Sequence, residues 1–415
     1  MKSSTLFVLA SVVSAAVATG NTTTPVARIP LAKKGLSPKG NIGAAYFMSN
    51  EPTGNYMISS LIDPDGQLTL WEGLYTGGNG MKGVPGPPVN VLDALFTQGA
   101  IGVSQPGKFL ANVNAGSASV TIYAINEQNP AELTIVGKPT WSGGEFPSSL
   151  AINKAGNRLC VVNSGAVSGV SCYTVDNRKG LTPIPGGLRD LGLNQTTPAN
   201  GPLNTPGDII FSEDEKHLIV SIKTGTGYLA VWDVNPDGSL STTFTHITGG
   251  EFPFSLIPIV GVPGALFSSD PGPTAGYTIY NLDGNKSKSP PITTTIVGQG
   301  AVCWSVYSPK SGNYYMTDIR TSNITEVHVE KSLTSYVVNQ YHMDIDGPMD
   351  SSIVSIGKND LMYTLAANRT GITVLNVEAP GKLTVIQRLD VADPAAAANI
   401  TLNRLDVQGM AVFLH

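Results

Sequence analysis

The chain is short of charge, of aromatic rings and of cysteine. Only 13% of its 415 residues are Asp, Glu, Lys or Arg, and 7% are Phe, Trp or Tyr. A net charge of −5 without any basic cluster gives no sign of a nucleic-acid surface. Beyond the first twenty residues no apolar run is long enough to span a bilayer, and no lipid-anchor tail is present. Five histidines occur, His217, His246, His328, His342 and His415, and none pair at metal-ligand spacing, which argues against a zinc site. Helix signals are almost absent. A Gly-x-Ser-x-Gly nucleophile on a strand–turn–helix elbow is therefore excluded as well.

Three cysteines remain. Cys160 and Cys172 fall in one predicted hairpin, and in an oxidising compartment a cross-strand disulfide is expected there. Cys303 lies between Val302 and Trp304 on a predicted strand and reads as a buried, inert thiol.

Glycine and proline are abundant, at 46 and 29, and they punctuate a repeat. Gly143-Gly144-Glu145-Phe146-Pro147-Ser148-Ser149-Leu150 returns 106 residues later as Gly249-Gly250-Glu251-Phe252-Pro253-Phe254-Ser255-Leu256. Gln98-Gly99-Ala100 returns as Gln299-Gly300-Ala301 and, loosely, as Gln408-Gly409-Met410. The intervening units, about 45–60 residues long, predict an all-β, seven-bladed β-propeller with four strands per blade. Units start near Gly43, Gln98, Glu145, Thr205, Glu251, Gln299 and Pro348, with turns such as Asp63-Pro64-Asp65-Gly66 and Asn235-Pro236-Asp237-Gly238 between alternating strands. The final stretch, Gln408 to Leu414, looks like the first strand of another unit, and is expected to join the N-terminal blade and close the ring. Gly77–Asn90 and Leu188–Asn204 interrupt the spacing and read as loops on a blade face.

Residues 1–18 read as a secretory signal, with Lys2, the apolar run Leu6 to Val13 and an Ala16-Val17-Ala18 cleavage site. A tail, 19–41, precedes the propeller, 42–415. Lys33-Lys34 reads as a solvated linker or a dibasic processing site. Secretion gives weight to the sequons at Asn21, Asn194, Asn285, Asn323, Asn368 and Asn399, so a secreted, monomeric glycoprotein is expected, extracellular or in a cell wall.

The blade phrases carry a family resemblance. Gly102-Val103-Ser104-Gln105-Pro106-Gly107-Lys108-Phe109-Leu110 resembles the "SPDGKFL" turn of the lactonase-type seven-bladed propellers, and Phe211 to Leu218 repeats it. Tyr123-Ala124-Ile125 and Trp232-Asp233-Val234 resemble that family's "YxID" strand ends. The family includes 6-phosphogluconolactonases and carboxy-cis,cis-muconate lactonizing enzymes. Within it the chain is most similar to secreted fungal glycoproteins described as 3-carboxymuconate cyclase-like, some regarded as cell-wall antigens or adhesins. The resemblance implies a lactonase or isomerase acting on a small lactone or diacid. The family's active site has His at one blade start and an Arg-His pair after Pro at another. Here those places read Glu145-Phe146-Pro147-Ser148-Ser149 and Pro206-Gly207-Asp208. A lactonase needs a base for water, and a cycloisomerase needs cations for its carboxylates. The departure opens a second reading, a non-catalytic surface protein binding a glycan or matrix ligand.

Aligned unit starts place Gln98, Glu145, Asp208, Glu251, Gln299, Asp346, Asp350 and Gln408 on or near the innermost strands. This acidic, amide-rich set with few cations suits a calcium ion, a neutral sugar or a cationic group. No other cofactor is implied. Glu145 and Glu251 fit an acid–base pair, calcium ligands, or acceptors for backbone N–H groups at a repeated turn. His342 stands before the seventh unit. Of Trp71, Trp141, Trp232 and Trp304, three read as core, and Trp141, beside Gly143-Gly144, as the candidate for stacking on a sugar.

Overall fold

Strand follows strand because the chain alternates β-branched and aromatic residues with Gly/Pro turns. The computed structural model describes residues 28–32, 40–86 and 91–415. The signal segment, Asn21 and Lys33-Lys34 lie outside them. Among the described residues the one α-helix is Ala392–Ala397, and no helix is long and apolar enough to cross a membrane.

Seven antiparallel sheets form seven blades. The innermost strands of blades 2 to 7 are Ile101–Ser104, Pro147–Ile152, Thr205–Phe211, Ile257–Pro258, Val302–Ser308 and Pro348–Ile356. Blade 1 takes its innermost strand from the other end of the chain. Gln408–Leu414 pairs with Gly43–Met48, followed outward by Tyr56–Ile62, Leu68–Tyr75 and Arg28–Pro30. Gly43 therefore begins the second strand of its blade, and the ring closes through the C-terminal strand as the repeat requires. All innermost strands run the same way, which gives the ring an upper face, where they begin, and a lower face, where they end.

Each blade is apolar on both sides, because each is packed between two others. Every residue of Tyr56–Ile62 is buried. The apolar clusters lie between neighbouring blades: Trp232 and Leu218 pack with Cys160 and Val162 of blade 3, and Phe267 and Tyr277 with Tyr314 of blade 6. Tyrosines add polar ties at these seams. Tyr46 Oη donates to the Pro130 carbonyl at 2.5 Å, and Tyr363 Oη to the Gly66 carbonyl at 2.9 Å.

The two spacing interruptions prove to be one feature. Val84–Pro85 and Asn200–Gly201 form a small parallel sheet on the upper face. Cys160 and Cys172 face each other across the second and third strands of blade 3 and are joined in a disulfide. Cys303 is a free, buried thiol. The described sequons are exposed or half-buried. Asn194, Asn323, Asn368 and Asn399 lie on the upper side, and Asn285 lies in a lower-face hairpin.

Deleting Gln408–His415 removes the innermost strand of blade 1 and exposes the edge of Gly43–Met48. The truncated chain is expected to be insoluble or to lose its cooperative melting transition. A truncated protein that melts at the wild-type temperature would overturn ring closure as a folding requirement.

Candidate functional site

The axial channel is where residues distant in sequence converge, and β-bulges aim them there. The pairing register slips at Pro147/Ser149, Pro206/Asp208, Val302/Trp304 and Pro348/Ser351. Each slip lies at the upper end of an innermost strand and turns the inserted residues toward the axis. Ser148, Gly207, Cys303 and Asp350 stand at these slips, close to the two blade starts where the family resemblance calls for His and Arg-His.

The upper half of the channel is not open. Residues 91–99, which connect blade 1 to blade 2, run across it. Leu92, Ala94, Leu95 and Phe96 are buried there. Thr97 donates its hydroxyl to the Ser148 carbonyl of blade 3 at 2.9 Å and accepts Trp304 Nε1 of blade 6 at 3.2 Å. Gln98 donates its backbone N–H to the Gly207 carbonyl, accepts the Ser305 N–H on Oε1 at 2.9 Å, and points Nε2 at Asp208 at 3.4 Å. Asp93 and Phe96 hold left-handed φ of 74° and 59°. Such residues cost on the order of 1 kcal/mol or more each and persist only where surrounding contacts over-determine them. Here hydrogen bonds to blades 3, 4, 6 and 7 do so.

Two aspartates tie the strap to the ring. Asp350 of blade 7 accepts the N–H of Gly99 at 3.3 Å on one oxygen and that of Gly409 at 3.1 Å on the other. Both glycines have positive φ, 81° and 78°, which permits the chain to present its N–H to the axis. Two copies of the Gln-Gly phrase thus meet on one carboxylate. Asp208 of blade 4 accepts the Leu256 N–H of blade 5 at 2.9 Å and lies 3.5 Å from Ser149 Oγ of blade 3. Gln408 donates to Asp93 at 3.1 Å.

A cation absent from the sequence-derived set completes the cluster. Lys223, the last residue of the second strand of blade 4, is fully buried and donates to the carbonyls of Phe96, at 2.7 Å, and Pro206. Its ammonium lies 5.0 Å from the Phe254 ring centre, a cation–π contact. The signal for Lys223 was a charge closing the apolar strand Leu218-Ile219-Val220-Ser221-Ile222. Asp93 had no comparable signal, since it lies in an irregular connection. Burial pushes the carboxyls of Asp93 and Asp208 up and the Lys223 ammonium down. Burial also carries Asp350 to about 7 against the pull of its N–H donors.

The remaining sequence-derived residues lie elsewhere. Gln299 and Asp346 are not in the channel, because they precede the innermost strands at Val302 and Pro348 and lie in loops arriving from the rim. Gln299 donates to the carbonyls of Gly272 and Ala275, and Asp346 pairs with Arg369 at 2.5 Å. Glu145 and Glu251 do not meet. Glu145 accepts the Thr197 hydroxyl at 2.5 Å, and Glu251 accepts both the hydroxyl and the N–H of Thr274. Each carboxylate anchors a neighbouring loop, which accounts for the repeat without shared chemistry. Among the described residues no three His, Cys, Asp or Glu side chains converge as a metal site. His217 begins a strand with Nδ1 3.1 Å from Asp233 Oδ1. His342 is exposed beside Asn323 and Asp344.

Open space lies below the strap. The innermost strand of blade 5 is only Ile257–Pro258, and the turn residues that follow leave its lower half unfilled. A cavity of about 460 Å³ opens there, with Gln98 and Asp208 above and Leu150, Ile209 and Leu256 in its walls. A second, of about 420 Å³, adjoins it between blades 4 and 5 and includes Lys154, Glu213 and His217.

A carboxyl with a raised folded pKa stabilises fully below its unfolded pKa of about 3.9, and that contribution is lost as pH rises through the folded value. For Asp350 the window is about pH 4 to 7. Wild-type stability is expected to fall across it by up to about 1.4 kcal/mol per pH unit from this group. Asp350→Asn should flatten the slope, measured by chemical denaturation at several pH values. An unchanged slope would refute the assignment.

Residues 88–184 match the family described as "Lactonase, 7-bladed beta-propeller". No curated protein matches the sequence. A Bacteroides uniformis protein assigned as a 6-phosphogluconolactonase is similar in structure at 15% identity and a TM-score of 0.63, over 89% of this chain and 99% of that one. A similarly assigned Bacteroides fragilis protein gives 14% identity and 0.61, over 85% and 97%. The periplasmic gluconolactonase of Pseudomonas aeruginosa gives 13% and 0.62, over 84% and 96%. At such identities the likeness speaks for the fold alone. By its blades the chain is a seven-bladed β-propeller, and its residues 88–184 match the lactonase family of that fold.

Proposed function

We propose that this chain is a secreted glycoprotein that uses the lactonase-type propeller as a binding scaffold at the cell surface or in a cell wall. The observation that carries this reading is the strap. Residues 91–99 occupy the upper channel, where the family resemblance calls for a histidine and an Arg-His pair. Opening a lactone needs a base for water and a donor for the developing oxyanion. Ser148-Ser149 and Gly207-Asp208 stand in those places, and the Asp208 carboxylate already accepts backbone N–H groups. The leader-like start of the sequence, the sequons on surface positions and the Cys160–Cys172 disulfide support secretion.

A second reading, a lactonase or isomerase acting on cyclic esters or muconate-type diacids, draws on the family match and on the lower-face cavity beside Lys154, Glu213 and His217. One set of assays separates the two. The purified protein is offered gluconolactone and 3-carboxymuconate for turnover, and neutral oligosaccharides and calcium in a thermal-shift panel. No turnover above buffer is expected, together with a raised midpoint for an oligosaccharide. At a hundredfold excess over Kd such a ligand adds about 2.7 kcal/mol. Turnover that disappears in Lys154→Ala or His217→Ala would replace binding with catalysis.

A further inference from the structure

We infer that the cavity below the strap, between blades 3, 4 and 5, binds a small neutral molecule with a hydrocarbon body and one uncharged acceptor oxygen. The inference goes beyond the binding reading above and does not rest on it.

The first observation is a departure in the repeat at the mouth of the cavity. On the lower face a turn joins the innermost strand of each blade from 2 to 7 to the next strand outward. In blade 2 it reads Gln105-Pro106-Gly107-Lys108, in blade 4 Ser212-Glu213-Asp214-Glu215-Lys216, and blades 3, 6 and 7 place Lys154, Lys310 and Lys358 there. Each of these five turns carries a charge. The turn of blade 5, Ile259-Val260-Gly261-Val262-Pro263-Gly264, carries none. The fold is thus satisfied by a polar turn at this place, and blade 5 alone presents an apolar one. Val260 is 57% exposed and lines the cavity. It is held in place: its N–H lies 3.2 Å from Tyr314 Oη, Val262 donates its N–H to the Ile259 carbonyl at 3.1 Å, and Ala265 donates to the Val262 carbonyl at 3.0 Å.

The second observation is the polar head of the same cavity. Behind Val260 the walls are apolar, with Leu150 and Ile152 from blade 3, Ile210 from blade 4 and Leu256 from blade 5. At the inner end stand Gln98 and Asp208. The Ser305 N–H occupies Gln98 Oε1 at 2.9 Å, which fixes the orientation of the amide. Among the described residues Gln98 Nε2 has one partner, Asp208 at 3.4 Å. An amide nitrogen carries two N–H groups, so one donor remains over for a ligand.

Charge and polarity select the occupant. Asp208 already accepts the N–H groups of Ile209 and Leu256 at 2.8 and 2.9 Å, and burial favours its neutral form. An anionic head would be pressed against this carboxyl, and an ammonium would set donor against donor at Gln98. The one cation lining this cavity, Lys154, stands at the mouth. Its ammonium donates to the Glu213 carbonyl at 2.5 Å, and its N–H is taken by the Glu215 carboxylate. A sugar would leave hydroxyls unpaired against Leu and Ile walls, at a cost. A hydrocarbon body fits those walls, and the volume of about 460 Å³ is that of a small-molecule site.

The test titrates the full-length protein with methyl hexyl ketone, octanoate and octylammonium by calorimetry. The ketone is expected to bind, and both ions at least tenfold more weakly. The carbonyl stretch of the bound ketone should fall below its frequency in hexane, as donation from Gln98 requires. Ile152→Trp, which fills the cavity, should abolish binding, and Val260→Lys, at an exposed position, should weaken it severalfold without changing the melting temperature. Absence of ketone binding, or an ion that binds as tightly, overturns the proposal. So does an unshifted carbonyl, or affinity that survives Val260→Lys and Ile152→Trp alike.

Discussion

Seven wedge-shaped blades packed around an axis leave a hole lined by polar backbone and inward-facing side chains. This chain fills the upper half of that hole with a piece of itself. The central element is the Asp350 carboxylate, which takes one N–H from Gly99 on the strap and one from Gly409 on the closing strand. Blade 7, the terminal closure and the strap are thereby joined at one buried point. Low local dielectric strengthens such bonds and makes their loss expensive, since two buried N–H groups would be left unpaired. Asp208 does the same work across the axis, joining blades 3, 4 and 5 to Gln98.

On the binding reading, the same arrangement accounts for the departure from the His and Arg-His pattern of the resembled family. A propeller channel is built from equivalent positions, and bulges at the upper strand ends turn a few side chains inward. Catalysis would need those side chains to keep free valences for a substrate. Here the Ser148 hydroxyl is bonded to Ser164, the Asp208 carboxylate accepts backbone N–H groups and faces Gln98 of the strap, and Lys223 donates to two carbonyls. Three carboxyls, Asp93, Asp208 and Asp350, share a buried centre with one ammonium. Burial favours their neutral forms, so the centre is stabilised by fixed hydrogen bonds more than by net charge pairing.

The two faces consequently differ. The upper face carries the parallel sheet formed by the two insertions, four of the five described sequons and the exposed indole of Trp141. The lower face has the open cavities, made by the shortened innermost strand of blade 5. The blade repeat thus supplies one architecture, and the departures from it lie at the strap, at blade 5 and at Trp141.

Much of the fold was legible from the residues alone. The Gly-Gly-Glu-Phe-Pro and Gln-Gly phrases recur because each blade needs the same turn and the same entrance to the axis, so their period states the blade count. The closing strand was legible as a unit without successors, and Cys160 and Cys172 as cross-strand neighbours in one hairpin. The site was not. Gln299 and Asp346 align with channel residues in sequence but lie in rim loops, because alignment of unit starts is blind to where each strand reaches the axis. Asp93 and Lys223 come together only because an irregular connection, with no period of its own, folds back across a ring that must first be closed. Local sequence thus determined the blades, their number and their order. Tertiary structure alone decided what occupies the axis, since that depends on contacts among five blades that no single segment encodes.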